Sequence, residues 1–148
     1  MPVFSKDNES TISHYEFINS TKNVLQNLMP EKAELSTDIR VSHIVKGRIP
    51  KAIGKPAKEL LEHEKTIYYE RMAFMVNIPT ITQDINGQLL ELTVGGVKAY
   101  NLDNMNTNKG GYEHFKIFIG FKNTVCTNLC ISTDGAKLDL KVKSLQEL

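Results

Sequence analysis

Six basic side chains lie between residues 40 and 58 of this sequence, and no carboxylate interrupts them. Lysine and arginine at this density suit phosphate recognition, because each cation that meets a phosphate releases a counterion from the nucleic-acid backbone. The segment therefore predicts a nucleic-acid contact surface. The alternative is that these charges are solvated and that Glu59, Glu62 and Glu64 fold back to neutralise them. The six residues are Arg40, Lys46, Arg48, Lys51, Lys55 and Lys58.

Polar and aromatic residues elsewhere in the chain extend this predicted surface. Exposed aromatic rings stack on unpaired bases, and Tyr68, Tyr69 and Phe118 are the candidates for that role. Lysines and side-chain amides that follow the basic segment would add contacts to phosphate or sugar. These additional candidates are Lys116, Lys122, Asn123 and Asn128.

Three carboxylates support a second hypothesis, a metal-dependent enzyme that acts on nucleic acid. Glu70, Asp84 and Glu91 are acids of a suitable type, and the run Glu113–Lys116 resembles the end of a nuclease carboxylate–lysine pattern. That pattern also requires an upstream acid that joins it. The sequence contains no hydrolase nucleophile elbow, zinc-protease helix or nucleotide-binding glycine loop. An enzyme is therefore the less favoured interpretation, and no cofactor is expected.

The cysteines and histidines do not predict a metal site or a disulfide. Cys126 and Cys130 are four residues apart, about 13 Å along a strand, whereas a disulfide needs Cα atoms within about 7 Å. Both are expected to be reduced and buried. His14 is expected at the surface, and His43, which alternates with aliphatic residues, is expected to be partly buried. The run Glu62–Glu64 is poorly arranged to chelate a metal, because consecutive residues of a helix diverge.

The elements that must position these residues follow from periodicity and turn chemistry. Apolar residues recur at helical spacing over residues 13–29 and stop at Pro30, which predicts an N-terminal helix. Residues 39–46 alternate as a strand that ends at Gly47. Residues 56–64 begin with a proline that suits the first turn of a short helix.

The remaining segments read as strands joined by tight turns. Residues 66–79 are apolar on both faces, which indicates a central strand. Asn86-Gly87 supplies the two positive φ angles of a type I′ hairpin, and the pair Gly95-Gly96 indicates a bulge or a bend between strands. The densest apolar stretch, residues 112–133, holds two predicted strands, and a last strand lies near residues 138–142.

Together these elements predict a single α+β domain over residues 1–148, with a mostly antiparallel sheet, an N-terminal helix and one short helix. The chain has 41% hydrophobic residues and a net charge of +1, as expected of a globular protein. No apolar run approaches the ~20 residues that a transmembrane helix needs, and no signal-peptide pattern opens the chain. A cytoplasmic protein without membrane contact is therefore expected.

Four segments of the chain resemble an uncharacterised bacterial family. They are Arg40–Gly47, Lys65–Phe74, Leu92–Tyr100 and Phe115–Gly135. The family is a domain of unknown function found in gut anaerobes, on conjugative and phage-like mobile elements. The resemblance implies a mobile-element context and supplies no activity. It also implies that members continue past residue 148 with a more helical part, so this chain is expected to be shortened, and Ser144–Leu148 reads as the opening of a helix.

Three functions remain open on the sequence alone. The first is a nucleic-acid-binding module that uses the basic segment, and the sequence favours it slightly. The second is the metal-dependent enzyme. The third is a protein-interaction or host-defence-counteracting module, or a homo-oligomer, that uses an exposed apolar face. Clustered carboxylates in one cleft would favour the enzyme, and an uncharged apolar groove would favour the protein-interaction module.

Overall fold

A helix opens the described part of the chain. The computed structural model describes residues 11–30, 35–103, 112–122 and 135–148. Helix α1 spans His14–Leu28 and confirms the predicted N-terminal helix. The Ser13 Oγ accepts from the Glu16 N–H while the Glu16 carboxylate accepts from the Ser13 N–H. This reciprocal cap satisfies N–H groups that the start of a helix leaves without partners.

Seven strands follow within the described residues, and every pairing between them is antiparallel. They are β1 Ser36–Val41, β2 Ile44–Arg48, β3 Lys65–Tyr69, β4 Arg71–Ile85, β5 Gln88–Ala99, β6 Glu113–Lys122 and β7 Ala136–Val142. Five strands form one sheet in the order β1-β4-β5-β6-β7, and β2 pairs with β3 in a separate two-stranded ribbon. Together with α1, this architecture confirms the predicted α+β class and its mostly antiparallel sheet.

The core lies between α1 and one face of the five-stranded sheet. The Phe17 ring packs edge-on against Phe74 of β4 and Phe115 of β6, with ring centroids 5.1 and 4.7 Å apart. Gly96 of β5 permits this approach, because a Cβ there would lie 2.5 Å from the Phe17 ring. The predicted bulge or bend at Gly95-Gly96 is therefore wrong. Strand β5 continues through both glycines, and their missing side chains make room for aromatic rings.

The hairpin between β4 and β5 has the predicted two-residue turn. Asn86 and Gly87 have φ angles of 55° and 79°, and Ile85 pairs with Gln88 directly across the turn. The Asp84 Oδ1 accepts from the Gly87 N–H at 2.8 Å, which holds the turn closed. The prediction of a type I′ hairpin is confirmed, because both central residues have the positive φ that this turn requires.

The predicted strands over residues 39–46 and 66–79 are each divided at one point. Strand β1 stops at Val41 and β2 starts at Ile44, while β3 stops at Tyr69 and β4 starts at Arg71. The Ser42 Oγ accepts from the Arg71 N–H at 3.0 Å and so takes the place of a backbone acceptor at the break. A side-chain hydroxyl competing with the backbone ladder in this way interrupts regular pairing.

The ribbon of β2 and β3 is nevertheless the outward continuation of β1 and β4. Val41 pairs with Met72 and Ile44 pairs with Tyr69, so one register runs through the break. On the other side of β4, β5 stops pairing near this point, where the Tyr100 N–H donates to the carbonyl of Glu70 at 2.9 Å. The ribbon therefore extends past the end of β5 as an arm of the five-stranded sheet.

The arm ends in three short 3-10 turns instead of the predicted short helix. They span Pro50–Ala52, Ala57–Glu59 and Glu62–Glu64. Leu60 has an extended backbone, and the Glu64 carboxylate accepts from the Leu61 N–H at 2.9 Å, so the last two turns stay separate. A segment this short gains too few hydrogen bonds to offset the cost of helix nucleation.

The end of the chain also departs from its prediction in part. The predicted last strand is confirmed as β7, and the first strand of the 112–133 stretch is confirmed as β6. Ser144–Leu148 forms a turn in which the Glu147 N–H donates to the carbonyl of Ser144 at 3.1 Å, not the opening of a helix. The second predicted strand of the stretch, with Cys126 and Cys130, lies outside the described residues.

Candidate functional site

One face of the ribbon gathers basic and apolar side chains. Alternate residues of a strand point to the same side, so three residues of β2 share a face with the three residues that pair with them on β3. We call this surface the ribbon face. It consists of Ile44, Lys46 and Arg48 on β2, paired with Tyr69, Ile67 and Lys65 on β3, respectively.

The apolar members of the ribbon face are exposed to solvent. The exposed fractions are 53% for Ile44, 48% for Ile67 and 40% for Tyr69. Three large apolar side chains that together face solvent mark an interaction surface more often than scattered single residues do. Ile44 is paired with Tyr69 across the ribbon, and Ile67 precedes Tyr69 by two residues on the same face. These three side chains therefore form one continuous strip, which we call the apolar strip.

The opposite face of the ribbon turns toward the body of the protein. Tyr68 packs edge-on against Tyr100, with ring centroids 5.6 Å apart. Gly47 leaves room for its partner on β3, because a Cβ at this position would lie 2.7 Å from the Thr66 Oγ1. Of the two tyrosines predicted to stack on bases, Tyr68 is therefore half-buried in an aromatic contact, and Tyr69 lies on the ribbon face.

The cations of the ribbon face have few ionic partners. Lys46 has no ion-pair partner in the described chain. Arg48 donates from Nη1 to the carbonyl of Lys55, which leaves its charge uncompensated. Lys65 pairs with Glu62, whose side chain is 90% exposed, and this contact lowers the pKa of Glu62. No carboxylate belongs to the ribbon face itself.

The loop beyond the ribbon contains the other cations of the basic segment. Lys55 pairs with Glu64, and this hydrogen bond lowers the pKa of the Glu64 carboxyl. At Lys55 the structure therefore matches the neutralisation alternative. Lys51 and Lys58 are exposed and form no ion pair within the described ranges. Within the basic segment, the charge of Lys55 is thus neutralised by a carboxylate, whereas Lys51 and Lys58 remain available to an anion.

The remaining predicted contacts do not lie on the ribbon face. Arg40 is on β1, paired with Ala73, and the shared register puts it on the same side as Arg71 but outside the ribbon. Lys116 is on β6, where its Nζ lies 3.7 Å from the Asp139 carboxylate. Strands β4 and β5 separate β1 from β6. Lys122 is the last residue of β6, and Asn123 and Asn128 lie outside the described residues. Phe118 is also on β6, beside Gly95.

Arg71 joins the ribbon face from the first position of β4. It follows Tyr69 by two residues in the same register, and its side chain is exposed. The sequence pattern assigned Arg71 to a strand but did not connect it with the basic segment. The connection arises because the antiparallel pairing of β2 with β3 brings residues 65–71 beside residues 42–48.

The three candidate carboxylates of the enzyme hypothesis do not come together. Glu70 lies just before β4, and its carboxylate is 3.6 Å from His43, whose side chain is 71% exposed. His43 was expected to be partly buried, and that expectation is wrong because the residue falls in the break between β1 and β2. Asp84 and Glu91 lie near the opposite end of β4. Within the described residues no three His, Cys, Asp or Glu side chains are placed to hold a metal ion.

A buried ionic cluster lies at the end of the sheet nearest the ribbon. Lys98 of β5 has no exposed side-chain surface, and its Nζ lies 3.2 Å from the Asp103 carboxylate and 2.5 Å from that of Glu113. The same Nζ lies 3.8 Å from the centre of the Phe115 ring. Lys98 is not among the residues predicted from the sequence, although its period-two spacing from Val94 and Gly96 puts it on the core-facing side of β5.

The cluster ties separate parts of the chain together. Glu113 accepts from the Ile12 N–H at 2.9 Å, just before α1. Asp103 accepts from the His114 N–H at 2.9 Å. Each carboxylate thus serves Lys98 and one backbone donor, which satisfies charges that would be costly to bury alone. Because Lys98 is completely covered, we assign the cluster a structural role.

His14 connects this region to the base of the ribbon. Its Nε2 lies 2.7 Å from the carbonyl oxygen of Tyr69, and its ring lies 4.5 Å from that of Tyr100. A carbonyl only accepts, so the Nε2 atom carries the proton. Burial lowers the pKa of His14 and raises the pKa of the Tyr100 hydroxyl. The expectation that His14 lies at the surface is wrong, because its ring is held between the helix and the ribbon.

Comparisons with known proteins add one match. A family model described as "Domain of unknown function, B. Theta Gene description (DUF3871)" covers residues 1–148. No curated protein and no solved structure matches the chain. Among the described residues, no helix is both long and apolar enough to cross a bilayer.

Proposed function

The chain belongs to this family of unknown function, whose description assigns no activity, and we therefore propose a function from its surface: a nucleic-acid-binding module that uses the ribbon face. The observation that carries the proposal is the presence of three cations, the exposed Lys46 and Lys65 and the half-buried Arg48, on one face that has no carboxylate. A polyanion is the partner that such a face fits best.

The spacing of the cations supports contact with consecutive phosphates. Arg48 and Lys65 are cross-strand partners, so their Cβ atoms are about 5 Å apart. Lys46 precedes Arg48 by two residues, which adds about 7 Å along the strand. Three donors at these separations can follow a phosphate backbone without any conformational change in the ribbon.

The surrounding charges leave a net attraction for anions. Residues 44–71 contain seven basic and four acidic side chains. The exposed pair of Lys65 and Glu62 is weak, because water and salt screen it. A phosphate that approaches Lys65 can therefore replace Glu62 at little cost.

The proposal fits the biological context that the sequence resemblance implies. We propose that the family acts in conjugative or phage-like mobile elements, whose transfer requires proteins that handle nucleic acid. Such a role implies a cytoplasmic protein. The support for this context is the resemblance of four segments, among them Arg40–Gly47 and Lys65–Phe74, which include most of the ribbon.

The proposal is tested by fluorescence anisotropy with labelled oligonucleotides over a series of salt concentrations. The protein is expected to bind with micromolar or weaker affinity and little sequence preference, and binding should weaken as salt rises. Changing Lys46, Arg48 and Lys65 together to Ala should abolish binding at moderate salt. At low salt it should reduce the slope of log affinity against log salt by about two to three.

A matched triple variant separates this contact from a general charge effect. Lys137, Lys141 and Lys143 are exposed residues of β7 and the turn after it, and changing them to Ala removes the same net charge. This control should bind like the parent protein. Equal loss in both variants, or no binding by the parent at low salt, would overturn the proposal.

A second candidate function is supported by the apolar strip of the ribbon face. Ile44, Ile67 and Tyr69 expose enough apolar surface for a protein-protein contact or for self-association. If the parent binds no oligonucleotide, this protein-interaction function becomes the leading one. Sedimentation of the parent and of an Ile44→Asp variant would then show whether the strip joins two copies.

A further inference from the structure

We infer that the ribbon face binds single-stranded polynucleotide in preference to duplex, with the Tyr69 ring stacked on an unpaired base. This inference rests on the proposed nucleic-acid function and specifies its ligand. The shared chemistry is a charged backbone with accessible base faces, which single-stranded DNA and RNA both present.

The order of side chains along the ribbon matches the two parts of a single strand. Arg48 and Lys65 form a cationic pair at the outer end, and Arg71 lies just past the inner end. The apolar strip of Ile44, Ile67 and Tyr69 lies between these charges, with Lys46 beside Ile67. Unpaired bases would cover this strip, while their phosphates reach the cations on either side.

A duplex would not use the apolar strip. A two-stranded ribbon fits the major groove of DNA, but it recognises base edges there through hydrogen bonds from side chains such as Arg, Asn and Gln. The ribbon face contains no amide side chain, and its one arginine, Arg48, already donates from Nη1 to the carbonyl of Lys55. Ile44 and Ile67 in a groove would displace water from base edges without replacing its hydrogen bonds, and this is unfavourable.

Tyr69 is held ready for stacking before the ligand arrives. Its carbonyl accepts from His14, and its strand is paired with β2 on one side. The residue as a whole is 40% exposed, so it remains accessible to a base. A ring on a fixed backbone loses little conformational entropy when a base stacks on it.

The experiment compares four labelled probes of equal length: oligo-dT, oligo-U, mixed-sequence single-stranded DNA and the corresponding duplex. The parent should bind the single strands at least tenfold more tightly than the duplex. The Tyr69→Leu variant should lose roughly 5- to 150-fold in affinity for single strands, the range expected from loss of base stacking. Its duplex affinity should hardly change, because its cations are intact.

A control and a second readout distinguish stacking from general damage. Tyr112→Leu replaces another exposed tyrosine, 50% exposed and outside the ribbon, and should leave all affinities unchanged. The chain has no tryptophan, so its tyrosine emission can be followed directly. Oligo-dT should quench this emission in the parent and less in Tyr69→Leu.

The outcomes separate the inference from the proposed function. Duplex binding equal to or tighter than single-strand binding would overturn the inference and leave the nucleic-acid function standing. The same follows if Tyr69→Leu and Tyr112→Leu bind single strands alike. Absence of binding to all four probes would remove the function and the inference together. A preference for oligo-dT over oligo-U, or the reverse, would show which of the two probes the ribbon face favours and supports the inference in either case.

Discussion

Lys98 is the residue whose environment departs most from ordinary expectation. A lysine with no exposed surface is rare unless it is paired, and here two carboxylates and the face of an aromatic ring surround its ammonium group. Such an arrangement adds little net stability over a well-packed apolar core, since burying the ions costs about as much as pairing them returns. The cluster instead determines which segments pack together: it joins β5 to Asp103, to β6 and to the start of α1.

Replacing Lys98 with Met should be strongly destabilising. The change leaves Asp103 and Glu113 as neighbouring buried charges without their cation, a situation that typically costs about 3–5 kcal/mol. Urea denaturation would measure the loss, with Lys137→Met at an exposed position as the control. Adding Asp103→Asn and Glu113→Gln should recover part of the loss. Equal midpoints for Lys98→Met and the control would contradict the role assigned to the cluster.

His14 should make stability depend on pH on the acidic side of neutrality. Burial lowers its pKa below the ordinary value of 6.5, with Lys98 adding a smaller effect in the same direction. Below pH 6.5 the unfolded chain binds a proton at this site that the folded protein resists. The stabilisation is therefore complete above pH 6.5 and is lost as pH falls through the folded pKa.

The measurement is the free energy of unfolding at several pH values between 7 and 5. His14→Gln keeps a donor for the Tyr69 carbonyl but cannot titrate, so its stability should fall less steeply than that of the parent over this range. The other histidines are unchanged between the two proteins, so the difference between the two curves isolates His14. Parallel curves would show that burial does not shift the pKa of this imidazole.

At the scale of elements, local chemistry explains which predictions succeeded. The cap at Ser13 and the positive φ of Asn86-Gly87 depend only on neighbouring residues, so helix α1 and the β4–β5 hairpin could be located from the sequence. The break at Ser42 depends on a partner 29 residues away. No pattern within either strand records that contact, and both strands were predicted as continuous.

The same reasoning applies to the candidate site. The sequence singled out Lys46 and Arg48 because they belong to a run of six cations without a carboxylate, but it ended the strand at Gly47, whereas β2 continues through Arg48. Lys65 and Arg71 join them only through the pairing of β2 with β3 and of β1 with β4. Lys98 was missed for a related reason: its burial depends on Asp103 and Glu113, which reach it only in the folded chain.

The β4–β5 hairpin should tolerate little change at its turn. Asn86→Pro should be strongly destabilising, because the fixed negative φ of proline is incompatible with the observed φ of 55°. Gly87→Val should also destabilise, since a β-branched residue resists positive φ. Thermal melts would compare both with Thr80→Val, an exposed position of β4 without positive φ. Melting temperatures equal to the control would contradict the turn assignment.

At the scale of the whole molecule, the described chain divides into a packed sheet and a thin arm. The five-stranded sheet has a core with α1 on one side, whereas the ribbon has two strands, which are marginal on their own. Contacts of Tyr68 with Tyr100 and of His14 with Tyr69 attach the arm to the sheet. The proposed contact surface thus lies on the part of the described fold that has the fewest packing contacts. Exposed cations on this ribbon do not reduce the stability of the core.

The single register that runs from β1 through β2 restricts how the arm can change in length. Adding two residues to each of the strands β2 and β3, at the base of the ribbon, would move the outer end with Arg48 and Lys65 outward by about 7 Å. Lys46 and Arg48 would stay on their present side. One residue added to each side would turn both cations toward Tyr100 and bring Val45 to the surface. The ribbon can therefore be lengthened, by mutation or by design, only by an even number of residues in each strand. An odd number would turn the cations away from the ribbon face and abolish the proposed binding while preserving the fold.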